Sequence, residues 1–99
     1  MESKAHAWEI LSIATRGLAT GTDALSQRLR YAYTDGLHQL TPDRFPWPDL
    51  REPLRDILDY FKVDSRHASL IVERLGEDEQ RRIAREIFEL YVEVCKRGR

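Results

Sequence analysis

Apolar residues recur along most of the chain at spacings of one, three and four positions, the pattern of a single helix face. No alternating segment of useful length indicates a strand. The pattern predicts helices over residues 3–19, 22–40, 49–62, 64–75 and 78–97. The sequence therefore predicts one all-α domain over residues 1–99. We expect a small bundle of four to five helices, and its short connections favour antiparallel neighbours.

The last predicted helix carries an unusually broad apolar face. Its apolar positions, from Ile83 to Cys95, cover roughly 160° of the circumference at about 100° per residue. An ordinary surface helix needs a stripe of only about 100°. Because so broad a face contacts several neighbours, we expect this helix to be the central one. Cys95 lies on the flank of the stripe and is expected to be a buried small hydrophobe.

Helix starts are marked by short polar side chains that accept hydrogen bonds from the first main-chain amides. The expected N-terminal caps are Ser3, Thr22 or Asp23, Asp49 acting with Glu52 as a capping box, and Asp64. Val63 is placed to contact Ala68 as a hydrophobic staple. Gly36, on the inner face of the second helix, costs about 1 kcal/mol relative to alanine. Close approach of another helix would offset that cost.

Residues 41–48 contain three prolines and are predicted to be non-helical. This connection also carries two large aromatic residues, Phe45 and Trp47. They have two interpretations, which the sequence leaves open. They form a lid over one end of the bundle, or they are exposed and belong to a binding surface.

The amino-acid composition argues against several functional classes. The net charge is −1, from 16 basic and 17 acidic side chains, which argues against a general polyelectrolyte binder. Thirteen of the basic residues are arginine, a mild indication of a GC-rich bacterial genome. A single cysteine excludes an intramolecular disulfide and argues against a thiolate zinc site. No apolar run matches a membrane span or a signal peptide, so we expect a cytoplasmic protein without membrane association.

Catalytic and metal-binding motifs are absent from the sequence. We find no phosphate-binding glycine loop, dinucleotide fingerprint, nucleophile elbow or Cys-x-x-Cys pair. His6, His38 and His67 do not belong to the Glu-x-x-His pairs that a di-iron bundle requires. We therefore assign no catalytic residue, no cofactor and no metal, and expect a protein that is not an enzyme.

Charged side chains on the last helix are interpreted as a solvated outer face. The opposite charges spaced for i,i+4 ion pairs are Glu77–Arg81, Asp78–Arg82, Arg82–Glu86, Arg85–Glu89 and Glu93–Arg97. We accordingly interpret three glutamates of this helix as surface carboxylates and not as acid–base partners, namely Glu86, Glu89 and Glu93.

Nucleic-acid binding is an alternative that would use Arg81, Arg82, Arg85 and, near the basic C-terminal tail, Arg97. Residues 77–99 carry as many acidic as basic side chains, so this segment is neutral. In a helix-turn-helix arrangement, the acidic residues 77–79 would face the phosphates, which is the wrong charge. Nucleic acid is therefore not the expected partner.

Apolar residues outside the predicted core stripes, at the outer edges of those stripes or in the proline-rich connection provide the remaining functional signal. Those expected at an interface are Tyr31, Phe45, Trp47, Leu70, Phe88 and Val92. They favour a non-catalytic protein that acts by protein–protein contact, with a second copy of itself as the expected partner. An adaptor, an antitoxin-like or immunity-like inhibitor, or a small assembly subunit would fit. The alternatives are the nucleic-acid-binding regulator and a ligand-binding or enzymatic bundle with a polar pocket near a histidine.

Overall fold

The structure, a computed structural model, describes residues 3–64 and 69–97. Its α-helices are α1 Lys4–Thr20, α2 Leu25–Asp35, α3 Arg51–Asp59 and α4 Glu77–Arg97. Single 3₁₀ turns are formed by Leu37–Gln39, Pro42–Arg44, Pro48–Leu50 and Ile71–Arg74. Two-residue strands, β1 Val63–Asp64 and β2 Ser69–Leu70, pair antiparallel. The predicted all-α helical bundle of four to five helices is confirmed, with four α-helices in the described residues.

Helix α4 packs against α1, α2 and α3. Its buried apolar side chains are Ile83, Ile87, Leu90 and Val94, and all belong to the single core cluster. The predicted central position of this helix is therefore confirmed. Cys95 is exposed, so its expected burial is wrong. It follows Val94, and one step along a helix turns the side chain by about 100°, here away from the core.

Helix α1 begins as predicted at Ser3, whose hydroxyl accepts a hydrogen bond from the His6 amide at 3.0 Å. Its face is buried at Ile10, Leu11 and other inner positions, but Ile13 remains 45% exposed. The predicted apolar face of this helix is thus only partly covered within one chain.

The start of α2 differs from the prediction. Ala24 is the N-terminal cap residue and supplies no side-chain hydrogen bond, so the cap assigned to Thr22 or Asp23 is wrong. The main-chain oxygen of Asp23 instead accepts from Arg28 Nε at 2.9 Å, and Arg28 Nη1 donates to the Leu18 oxygen at 2.7 Å. One arginine therefore holds the α1–α2 connection and satisfies a carbonyl in the last turn of α1.

Gly36 ends α2 five residues earlier than expected, before the 3₁₀ turn that buries Leu37. A Cβ atom at Gly36 would lie 3.3 Å from Ile10 Cγ2 and 3.6 Å from the Ile10 oxygen. The close approach of another helix, inferred from the glycine, is confirmed. Gly36 is, however, the residue that caps the C-terminal end of α2 and does not lie in the interior of that helix.

Asp49 does not form the predicted capping box. It lies in the 3₁₀ turn before α3, and Leu50, the residue preceding that helix, supplies no side-chain cap. The Asp49 carboxylate instead accepts from Arg97 Nη1 at 2.7 Å and pairs with Nη2 at 2.6 Å. Hydrogen bonding from Arg97 lowers the pKa of Asp49 below its ordinary value. This bidentate pair joins the end of α4 to the start of α3.

The predicted fourth helix over residues 64–75 is wrong in its described part, which forms the two short strands and a 3₁₀ turn. The amides of Ile71 and Val72 donate to the Lys62 and Tyr60 oxygens at 2.9 and 2.8 Å. These bonds to the segment just after α3 compete with helix formation. Ala68 and its predicted contact with Val63 lie outside the described residues, and Val63 itself is 66% exposed.

Gln80 holds the 3₁₀ turn against α4. Its side chain is buried, and its amide nitrogen donates to the main-chain oxygens of Val72 and Leu75, both at 3.1 Å. A buried glutamine that satisfies two carbonyls stabilises an irregular segment. Periodicity could not indicate this role, because it depends on a partner segment brought in by the fold.

Phe45 and Trp47 form a lid on the core. Phe45 is fully buried and Trp47 is 6% exposed, and their rings meet edge to face with centroids 5.4 Å apart. The guanidinium of Arg51 donates from Nε to the Phe45 oxygen at 3.0 Å and fixes the proline-rich connection. The lid interpretation is confirmed, and the placement of both residues on an exposed interface is wrong.

Candidate interaction groove

A groove of about 600 Å³ lies between α3 and α4. Its apolar lining consists of Leu50, Pro53, Ile57, Phe88, Leu90 and Val92. Phe88 is 51% exposed and Val92 is half-buried. The structure thus places the predicted Phe88–Val92 edge in the wall of an open concave surface.

The lengths of the two helices explain why this surface is open. Helix α3 has 9 residues and α4 has 21, so α3 covers only part of its neighbour. The face of α4 that packs into the core includes Ile87, Leu90 and Val94, which are buried. Phe88 follows Ile87 by one position and is therefore turned about 100° from the buried stripe. The apolar surface of α4 therefore extends beyond the buried core, and this part of it is exposed to solvent.

The groove also has an acidic rim. Asp56 of α3 and Glu86, Glu89 and Glu93 of α4 line it together with one basic residue, Lys96. The four carboxylates face a single ammonium group, which lies 3.7 Å from Glu93. The groove is therefore negatively charged, although the whole chain is close to neutral.

The acidic rim departs from the predicted lattice of i,i+4 pairs. Arg82 does not turn toward Glu86 but binds Glu79 at 2.6 Å and donates to the Tyr60 hydroxyl at 2.9 Å. Glu86 and Glu89 have no ion pair in the part of the chain that the structure describes. The expected pairs from Glu77 to Arg81 and from Glu93 to Arg97 do form.

A second depression, of about 180 Å³, lies between α1 and α2. Ile13 and Tyr31 both line it, and they are 45% and 49% exposed. The predicted exposure of Tyr31 is confirmed, and Ile13 of α1 is exposed beside it. Leu70 is half-buried against the core and lines neither depression.

The arginines proposed for nucleic-acid binding are mostly engaged within the chain. Arg81 pairs with Glu77, Arg82 with Glu79, and Arg97 with Asp49. Arg85 is exposed and has no ion pair within residues 3–64 and 69–97. A phosphate would have to displace carboxylates from three of the four guanidinium groups, so the geometry favours this alternative less than protein binding.

The histidines do not define a pocket in the described residues. His6 is exposed, and His38 is exposed with Nδ1 3.0 Å from the Tyr33 oxygen. Neither lines either depression. His67 lies outside the described residues. Within the described ranges, no group of three or more His, Cys, Asp or Glu residues could hold a metal ion.

None of the helices in the described ranges combines the length and hydropathy needed to cross a membrane. Comparison with known proteins finds no matching family model, no matching curated protein and no matching solved structure. The chain folds as a small all-α bundle with an open apolar groove between α3 and α4.

Proposed function

We propose that this protein is non-catalytic and acts by protein–protein contact, with the α3–α4 groove as its docking site. The observation that carries the proposal is Phe88, a half-exposed aromatic side chain in the wall of an apolar groove. Interface hot spots are enriched in large side chains that enter or line such concave surfaces. Three kinds of protein would use such a groove in the cytoplasm of a bacterium. They are an adaptor, an antitoxin-like or immunity-like inhibitor, and a small assembly subunit.

Truncation of Phe88 tests this proposal. We expect Phe88→Ala to weaken partner binding by about tenfold or more, because it removes an aromatic contact from the wall of the groove. Its melting temperature should stay close to that of the wild type, since half of the side chain is already solvated. The measurement is affinity capture from the native cell with each variant as bait, quantified by mass spectrometry.

Val63 offers a matched control. It is 66% exposed, more than Phe88, and lines neither depression. Val63→Ala should recover the same partners as the wild type in the same amounts. If Phe88→Ala also recovers them undiminished, the α3–α4 groove is not the docking site.

We further propose that a second copy of the chain docks at the α1–α2 depression. Ile13 and Tyr31 provide the apolar contact there, and Asp23, Arg28 and Asp35 provide charges of both signs. Two copies related by a two-fold axis can then place opposite charges together. The same symmetry at the α3–α4 groove would bring carboxylates against carboxylates, which opposes association.

The dimer is tested by sedimentation equilibrium over a range of protein concentrations. We expect the wild type to show a monomer–dimer equilibrium, and Ile13→Glu to shift it toward the monomer by about tenfold or more, because a carboxylate would be buried at the interface. Val63→Glu should sediment as the wild type does. A wild-type chain that remains monomeric at high concentration would rule out the homodimer.

A further inference from the structure

We infer that the occupant of the α3–α4 groove is an amphipathic helix of a different protein, with apolar anchors flanked by lysine or arginine. This inference rests on the proposed function of the groove and specifies the chemistry of its partner. It depends on an observation separate from the exposure of Phe88, namely the sign of the charge around the apolar floor.

The rim carboxylates are available to a partner. Asp56, Glu86 and Glu89 form no ion pair with the described residues, whereas the carboxylates of the first turn of α4 are paired with Arg81 and Arg82. Lys96 supplies the single basic group of the lining. Basic side chains of a docked segment would therefore meet free carboxylates on both walls, which favours association and orients the segment.

The walls of the groove indicate the conformation of the partner. Both are α-helices, whose main-chain groups are bonded internally, so neither offers the free edge that an added strand requires. The lining residues of α4 run from Glu86 to Lys96, a length of about 15 Å at 1.5 Å per residue. That length accommodates about three turns of a second helix, with apolar anchors at i, i+3 or i+4, and i+7.

The acidic rim disfavours a nucleic acid and a second copy of the chain as occupants. A nucleic acid would bring phosphates against unpaired carboxylates, which repel them. A second copy docked through the same surface would place two acidic rims together. A basic amphipathic helix is the partner whose charge and shape both match the groove.

Two synthetic helical peptides of about three turns test the inference. They share one pattern of leucine anchors and differ only in the flanking residues, which are lysine in one and glutamate in the other. Fluorescence anisotropy with the full chain should show the lysine peptide binding about tenfold or more tightly at low salt, since several exposed pairs each add a modest factor. Added salt should reduce that preference.

Charge-neutralised variants locate the effect. The groove variant combines Asp56→Asn, Glu86→Gln and Glu89→Gln, and should lose the preference for the lysine peptide. A control variant neutralises three exposed carboxylates outside the groove, through Glu9→Gln, Glu52→Gln and Asp78→Asn, and should keep it. A preference that survives in the groove variant would overturn the inference.

The remaining outcomes separate the inference from the proposed function. If both peptides bind equally and Phe88→Ala abolishes binding of both, the groove docks helices without charge selection, so the function stands and the inference fails. If neither peptide binds although capture depends on Phe88, the partner is not a basic helix and the inference again fails. If capture and peptide binding are both insensitive to Phe88, both proposals fail.

Discussion

A chain that ends at Glu89 is expected to lose cooperative folding. The deletion removes Leu90 and Val94 from the core, and it removes Tyr91, whose ring lies 6.3 Å from that of Trp8. Truncating one buried leucine to alanine costs about 2–5 kcal/mol, and a domain of this size is stable by only about 5–15 kcal/mol. Loss of the Arg97–Asp49 pair adds to this cost. Circular dichroism melts should show no sigmoidal transition.

A chain that ends at Arg97 is the control, because it keeps every contact named above and should melt as the full chain does. A soluble, cooperatively melting chain of residues 1–89 would show that α4 is not the centre of the bundle.

Phe45→Ala is expected to destabilise the fold by about 3–5 kcal/mol, the usual cost of removing a buried aromatic side chain. Phe45 is fully buried and packs edge to face on Trp47, so its removal leaves a cavity and exposes the neighbouring indole. For a domain of about 100 residues, each kcal/mol lowers the melting temperature by about 4–8 °C. Thermal unfolding followed by circular dichroism and tryptophan fluorescence measures the shift.

Phe88→Ala is the matched control for this effect, since it removes the same side chain from an exposed position. It should change the free energy of unfolding by about 0.5 kcal/mol or less. Equal small shifts for the two variants would mean that the proline-rich connection is not part of the core. A large shift for Phe88→Ala would mean that this residue supports the fold and cannot serve as a neutral probe of binding.

Local signals in the sequence were sufficient for the helices that carry the core. The last helix was predicted from residue 78 and begins at Glu77, and α1 begins beside its predicted cap at Ser3. These elements depend on apolar periodicity and on contacts between residues three or four positions apart. Gly36 likewise indicated a close helix approach, and a Cβ atom there would lie only 3.3 Å from Ile10 Cγ2 of α1.

Half of the candidate site was predictable for the same reason. The projection of α4 places Phe88 at the outer edge of its apolar face, and in the structure Phe88 lies in the wall of the groove. The acidic rim was not predictable, because i,i+4 spacing indicated neutralisation of Glu86 by Arg82. Arg82 instead binds Glu79 and the hydroxyl of Tyr60, which is twenty-two positions away in the sequence. The carboxylate of Glu86 is therefore unpaired in the described part of the chain.

The sequence by itself thus determined the all-α class, the core face of each long helix and the central place of α4. Tertiary structure decided what the short polar and proline-rich segments do. The sequence allowed Phe45 and Trp47 to be a lid or an exposed surface, and the tertiary fold buries both. Ile71 and Val72 bond to main-chain oxygens just after α3, and Gln80 of α4 donates to the Val72 oxygen. Long helices follow local periodicity, whereas irregular segments and ion pairs depend on groups that are distant in sequence and become neighbours only in the fold.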